Sequence, residues 1–245
     1  DLLLNPRDGA IFYWDKTNGT GVRAVDLTTV TGHNEVPVIA KQILTSDTDR
    51  HVIAFGTNPE GSSTQDSLLI RFSNQESLVD WAATATNSAG DLRIGAGSTF
   101  VKAIQTKREI VIWTDTALHS MRFIGPPFTF GIQQLASNIT IMGPNAAVAV
   151  EDVVLWMGKD NFYIYEGQTQ QLPCTVKDFF DFNMNEKEKV VAGVNSNFGE
   201  VIWFYPSSSS SENDSYVIYN YLEKIWYYGS LARTAWIDKG VRNFP

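Results

Sequence analysis

Short apolar runs alternate with polar breaks along the whole chain, and their period is two residues rather than the 3.6 of a helix. The clearest case lies at 109–123. Ile110 to Trp113 are β-branched or aromatic, and Thr114 to Thr116 carry turn chemistry. Leu118, Ser120 and Arg122 then alternate with His119, Met121 and Phe123. The pattern predicts a strand, a tight turn and a second strand. The same unit recurs at Val153–Trp156 with Phe162–Tyr165, and at Val201–Phe204 with Tyr216–Tyr219. A looser copy pairs Val52–Phe55 with Leu68–Phe72. The first copy pairs Ile11–Trp14 with Val22–Val25, across a predicted tight turn at Asn18–Gly19. With Trp14, Phe55, Trp113, Trp156 and Trp203 taken as equivalent, the spacings are 41, 58, 43 and 47 residues.

The remaining apolar runs complete these units. Leu2–Leu4, Phe100–Ile104, Ala146–Val150 and Val190–Val194 read as inner strands, and Phe128–Leu135 and Lys224–Tyr228 as outer ones. Leu172 closes the fourth unit. Ile39, Val101, Val148, Val191 and Ala235, as equivalent inner positions, give spacings of 62, 47, 43 and 44. Thr234–Asp238 reads as the inner strand of a further unit. A period of 40–50 residues with several strands in each repeat is that of a β-propeller blade. Each small sheet has two apolar faces and buries them against its neighbours. The expected fold is therefore all-β: a propeller of four-stranded antiparallel blades, five of them visible and a sixth completed in a longer protein. A β-sandwich also has many short strands, but it does not predict matching hairpins. The whole of 1–245 reads as one such domain, and its start at Asp1 reads as a segment of a longer chain.

Polar stretches mark the tips. Gly56–Asp66 reads as a surface loop, a contact for a neighbouring subunit that a two-residue turn could replace. Pro206–Ser215, with its run of serines Ser207–Ser211, reads as the flexible tip of a long hairpin. Thr84–Gly97 shows no decisive pattern. Thr175–Lys189, with Phe179, Phe180, Phe182 and Met184, reads as either a helical turn or a partner-facing loop.

Composition changes this picture in one respect. Nineteen Lys and Arg against 27 Asp and Glu give a net charge of −8. Such a surface does not attract DNA, which is bound by concentrated basic residues. The single Cys174 excludes an internal disulfide and a multi-cysteine zinc site. No stretch reaches the roughly 20 apolar residues of a membrane helix.

Candidate chemistry is sparse, and no catalytic, cofactor or metal residues are assigned. His33, His51 and His119 are far apart and lack metal-ligand spacing. Each reads as a surface or strand histidine. Ile94–Ser98 is glycine-rich but does not join a strand to a helix, so it is not a phosphate loop. Glu151 and Asp152 read as solvated turn residues. Glycosidase propellers need a carboxylate pair facing a pocket. Glu109, Asp115 and Asp160 are the candidates for it, yet they sit in turns or at strand starts, and the expectation is a non-enzyme. Trp113, Trp156 and Trp203 read as packing between blades rather than as a sugar-stacking ladder. Asn18–Thr20, Asn138–Thr140 and Asn213–Ser215 match the glycosylation acceptor pattern.

Arg71–Trp81 with Thr84–Gly90, Ile124–Phe128, Gly143–Ala147 and Tyr219–Tyr228 together resemble the β-propeller tail proteins of tailed bacteriophages. These include the tail nozzle and packaged-DNA stabilisation proteins of short-tailed phages. The resemblance covers most of Val52–Asp238, and its motifs are structural. It implies a virion protein of the phage tail, in a ring of copies around the DNA channel, below the portal. Its partners would be copies of itself, other tail proteins such as adaptor and fibres, and passing DNA that it does not bind sequence-specifically. No catalytic residues carry over. An acidic channel wall suits that role, because it repels phosphate and lets the duplex slide. The rival expectation is a carbohydrate-binding or glycan-cleaving propeller of a receptor-binding protein, suggested by seven Trp and nine Tyr. A cellular scaffold propeller is a third reading, without its usual Trp-Asp or kelch repeats.

Overall fold

The computed structural model describes residues 1–46, 48–179, 184–233 and 235–238. The chain divides into two compact units, Asp1–Ser137 and Asn138–Pro245. It is all-β, and its sheets are laid out as propeller-type blades. Each sheet is an antiparallel meander whose strands follow in chain order.

The first unit holds three sheets. The first has three strands, β1 (Leu2–Leu4), β2 (Phe12–Trp14) and β3 (Val25–Asp26). The second has four, β4 (Gln42–Thr45), β5 (Val52–Phe55), β6 (Leu69–Phe72) and β7 (Gly90–Arg93). The third also has four, β8 (Phe100–Gln105), β9 (Ile110–Thr114), β10 (Ala117–Gly125) and β11 (Thr129–Ser137). The second unit holds two four-stranded sheets. One is β12 (Ala147–Val150), β13 (Val153–Met157), β14 (Phe162–Tyr165) and β15 (Thr169–Leu172). The other is β16 (Val191–Asn195), β17 (Glu200–Tyr205), β18 (Ser215–Asn220) and β19 (Ile225–Ser230).

Val52–Phe55, Ile110–Trp113 and Val201–Phe204 are middle strands buried on both faces, whereas Val22 and Val25 are 48 and 47 % exposed. Along β5, Ile53 and Phe55 enter one core with Ile70, Phe100, Ile112 and Met121. Val52 and Ala54 enter another with Ile11, Leu27 and Trp81. Successive side chains point to opposite faces, so a strand between two layers is apolar at every position. Phe55 stacks on Phe100 at 5.2 Å, which ties the second sheet to the third. Trp113, Trp156 and Trp203 all lie in the second strand of their sheets and are fully buried, as expected. Phe55 matches them, whereas Trp14 is only half-buried.

Several expectations are corrected. Asn18–Gly19 is not a two-residue hairpin turn. The Asp15 carboxylate accepts from the backbone N–H and the hydroxyl of Thr17, and this winds Lys16–Asn18 into a 3-10 turn. The return strand then begins only at Val25 rather than at Val22. Ile39 is not in an inner strand, because its carbonyl and N–H are taken by Thr57 and Asn58. Ala235 is not in a strand either. The Trp236 indole donates instead to the Val194 carbonyl at 2.8 Å, and Asp238 accepts from Ser196 N–H at 3.1 Å. Within Thr84–Gly97 lies the unanticipated strand β7. In the ambiguous stretch, residues 177–179 are helical and Lys187–Lys189 form a 3-10 turn. Phe180 and Phe182 lie outside the described residues, as does Thr234.

Both long loops are more tightly built than their composition suggests. At the root of 56–66, Thr57 and Asn58 are buried. At 206–215, both carboxylate oxygens of Asp214 hold Ser207, at 2.7 Å to its N–H and 2.7 Å to its hydroxyl. Asn213 donates to the Lys189 carbonyl, and Lys189 to the Ser211 carbonyl. The serine run is therefore a hydrogen-bonded turn, not a free tip.

Candidate functional site

The carboxylates singled out in the sequence serve the fold. Glu109, just before β9, is buried and accepts from the Ser120 hydroxyl and from Arg122 Nε and Nη2, each nitrogen at 3.0 Å. Asp115, just after β9, accepts from Ser98 N–H at 2.8 Å, Ser98 Oγ at 2.5 Å and Thr99 N–H at 3.2 Å. Burial works against its charge, but those hydrogen bonds outweigh burial and hold its carboxyl below the usual range. The strand separates the two carboxylates by six residues, about 20 Å at 3.3 Å per residue. That is beyond the roughly 5–10 Å of a glycosidase pair. Asp160 is exposed in the β13–β14 turn of the other unit. Ile94–Ser98 is not arranged as a phosphate cradle: Ile94 N–H donates to the Leu68 carbonyl at 3.0 Å and Ser98 N–H to Asp115 at 2.8 Å.

The histidines are not brought together as ligands. His33 is exposed. His51 is buried, its Nδ1 2.6 Å from the Ser73 carbonyl and its ring edge-on to Phe72 and Phe130. That contact fixes the proton on Nδ1 and leaves Nε2 without a partner. His119 is buried with neither ring nitrogen paired, and burial pushes its pKa down. Among the described residues no three His, Cys, Asp or Glu converge as a metal site. Glu151 and Asp152 form the β12–β13 turn, with Glu151 at a positive φ of 56°.

The tryptophans are structural. Trp203 donates its indole N–H to the Ala146 carbonyl at 3.0 Å, and Trp156 to the Thr140 carbonyl at 3.3 Å. Of the three glycosylation-type asparagines, Asn18 and Asn138 are exposed and Asn213 is buried.

Two surface features were not anticipated. The first is the β10–β11 hairpin. Leu118–Met121 pair with β9 on one side, but Arg122–Gly125 pair only with β11. The tip thus overhangs its sheet and carries Phe123, Ile124 and Phe128 at 42, 56 and 71 % exposure. A hollow beside the tip is lined by Leu92 of β7 and by Thr84 and Asn87. The unequal lengths of the apolar runs are the sequence trace of this overhang.

The second feature lies in the other unit, between the β12–β15 sheet and the β16–β19 sheet. Val148, Leu155, Ile164 and Gln170 form one cross-strand row. Phe162 lies two residues from Ile164, on the same face, and meets Trp203 at 4.9 Å and Trp226 at 4.6 Å. The sheets close there, and beyond Ile164 a cleft opens opposite Tyr219 and Tyr221. The Leu155 and Ile164 alternation was readable, but not the failure of the facing sheet to fill the gap.

No family model matches the chain, and no curated protein matches it. Among solved structures it is similar to the AfRom2 CNH domain, at 11 % identity and a TM-score of 0.46, covering 94 % of this chain and 84 % of that one. It is also similar to a Synechocystis apocarotenoid oxygenase, at 9 % identity and a TM-score of 0.43, covering 95 % and 58 %. At these values neither likeness bears on what the chain does.

Proposed function

We propose that the chain is a non-enzymatic structural component of a bacteriophage tail. In this reading it sits in the virion as a ring of copies with adaptor and fibre proteins, and it holds back and then conducts DNA. The observation that supports it is the overhanging β10–β11 tip. Three large apolar side chains are held in water on a paired hairpin, and concentrated exposed apolar surface marks a site of association. The sequence resemblance supplies the setting. The net charge of −8 suits a wall along which a duplex slides. Electron microscopy of purified virions carrying the labelled chain tests the reading. Label at the tail is the expected result, and label absent from particles overturns it. Ile124→Ser with Phe128→Ser separates folding from assembly. The variant is expected to fold and to be lost from particles.

A further inference from the structure

The cleft of the Asn138–Pro245 unit has a volume of about 810 Å³. Ligand sites span about 300–1,000 Å³ and combine an apolar lining with a few converging polar groups. Ile164, backed by the buried Leu155, forms an aliphatic floor that continues through the cross-strand row to Gln170. Tyr219 and Trp226 form the facing wall. That wall is set in place before any ligand arrives. The Trp226 indole donates to the Pro173 carbonyl at 2.8 Å and lies 4.8 Å from the Tyr219 ring. Phe162 and Trp203 back it from the closed end. A fixed wall reduces the ordering cost of binding.

The mouth is polar and different in kind. Glu151 and Glu166 supply acceptors, Gln170 both donors and acceptors, and Lys224 an ammonium, all of them exposed. Two carboxylates against one ammonium disfavour an anion. A purely apolar ligand would fill the floor but leave Glu166 and Gln170 to water and gain nothing from them. A pyranose ring carries both surfaces at once, an apolar C–H face and an edge of hydroxyls. We infer that this cleft binds a neutral oligosaccharide of two or three rings, its C–H faces against Ile164 and the Tyr219–Trp226 wall and its hydroxyls on Gln170 and Glu166. The site is separate from the hairpin tip that supports the assembly reading, and neither stands or falls with the other.

Isothermal titration of the full chain with maltotriose, cellotriose and the trimer of N-acetylglucosamine tests the inference. Saturable heat with at least one trisaccharide is expected, at a Kd of about 1 mM or tighter. Gln170→Ala and Glu166→Gln change exposed side chains and are expected to fold. Each is expected to weaken that binding about tenfold. Lack of saturation with all three trisaccharides overturns the inference. If the apolar dye anilinonaphthalene sulfonate binds while they do not, the cleft takes an apolar partner and the inference is again overturned. Trisaccharide binding that both variants leave unchanged places the sugar elsewhere and overturns it as well.

Discussion

Asn58 is expected to anchor the fold of the first unit, although it lies in a loop of polar, turn-forming residues. Its side chain is 3 % exposed and makes four hydrogen bonds to backbone. Oδ1 accepts from Val38 N–H at 3.0 Å and Ile39 N–H at 3.3 Å. Nδ2 donates to the Ser62 carbonyl at 2.7 Å and the Pro59 carbonyl at 3.2 Å. Asn58→Ala removes all four. A buried group left unpaired costs about 1–3 kcal/mol, and a replaced hydrogen bond nearer 1 kcal/mol. Val38 and Ser62 are exposed, so water replaces the lost partner there. Ile39 is not so exposed, and its N–H bears the larger penalty. The expected loss is about 2–3 kcal/mol. Urea unfolding followed by fluorescence measures it as a lower midpoint at unchanged slope. Thr64→Ala, at the exposed end of the same loop, is the control and should stay within about 0.5 kcal/mol. Replacing 56–66 by Asn-Gly takes away Thr57, Asn58 and Asp66 together, and should cost more than Asn58→Ala alone. A loss below about 0.5 kcal/mol for Asn58→Ala, or a wild-type midpoint for the shortened loop, would refute this account of the loop root.

Three other outcomes are expected. Trp156→Ala, at a fully buried site, should cost about 3–5 kcal/mol in chemical denaturation, the range for a large core aromatic. His119 should make stability fall on acidification. Burial holds its folded pKa below the ordinary 6.5, so the unfolded chain takes up the proton first. Its contribution is complete above about pH 6.5 and is lost as pH falls from there toward the folded value, by at most about 1.4 kcal/mol per pH unit. Unfolding midpoints measured from pH 8 to 5 should show that fall, and His119→Gln should flatten it. Gly97→Ala should lower the thermal midpoint by several degrees. Gly97 sits at a φ of 107°, and a Cβ there would lie 2.5 Å from Thr114 Oγ1, so strain and a clash act together.

The strands were legible where burial on both faces made the sequence continuously apolar. Val52–Phe55, Ile110–Trp113 and Val201–Phe204 declare themselves without knowledge of their partners. An outer strand gives a weaker signal, because one of its sides lacks a neighbour. Gly90–Arg93 is such a case: one apolar residue, Leu92, between Asp91 and Arg93. What fixes it as a strand is the ladder to β6, with Ile70 opposite Leu92 and Arg71 opposite Asp91, and that pairing leaves no local trace. Asn18–Gly19 failed in the opposite way. Its dipeptide carries a strong turn signal, but Asp15 captured the backbone three residues earlier.

Chemistry-bearing residues were harder to read than strands, because the same side chain serves either end. Glu109 looks like a catalytic acid as much as like the acceptor it is, until Ser120 and Arg122 are seen on it. Both lie on β10, and they reach Glu109 because β10 folds back antiparallel along β9 and sets Met121 opposite Ile110. The three residues are distant in sequence logic yet adjacent through one tight turn. The unit 2 cleft is the harder case. Each of its walls is an ordinary blade face, and a face that packs against its neighbour has the same alternation as one that does not. What distinguishes them is the position of Phe162. It holds the sheets together at one end, on Trp203 and Trp226, while Tyr219, paired with Trp226, and Tyr221 face the cleft. A tyrosine facing an aliphatic floor is polar enough to keep the gap from closing and apolar enough to line it.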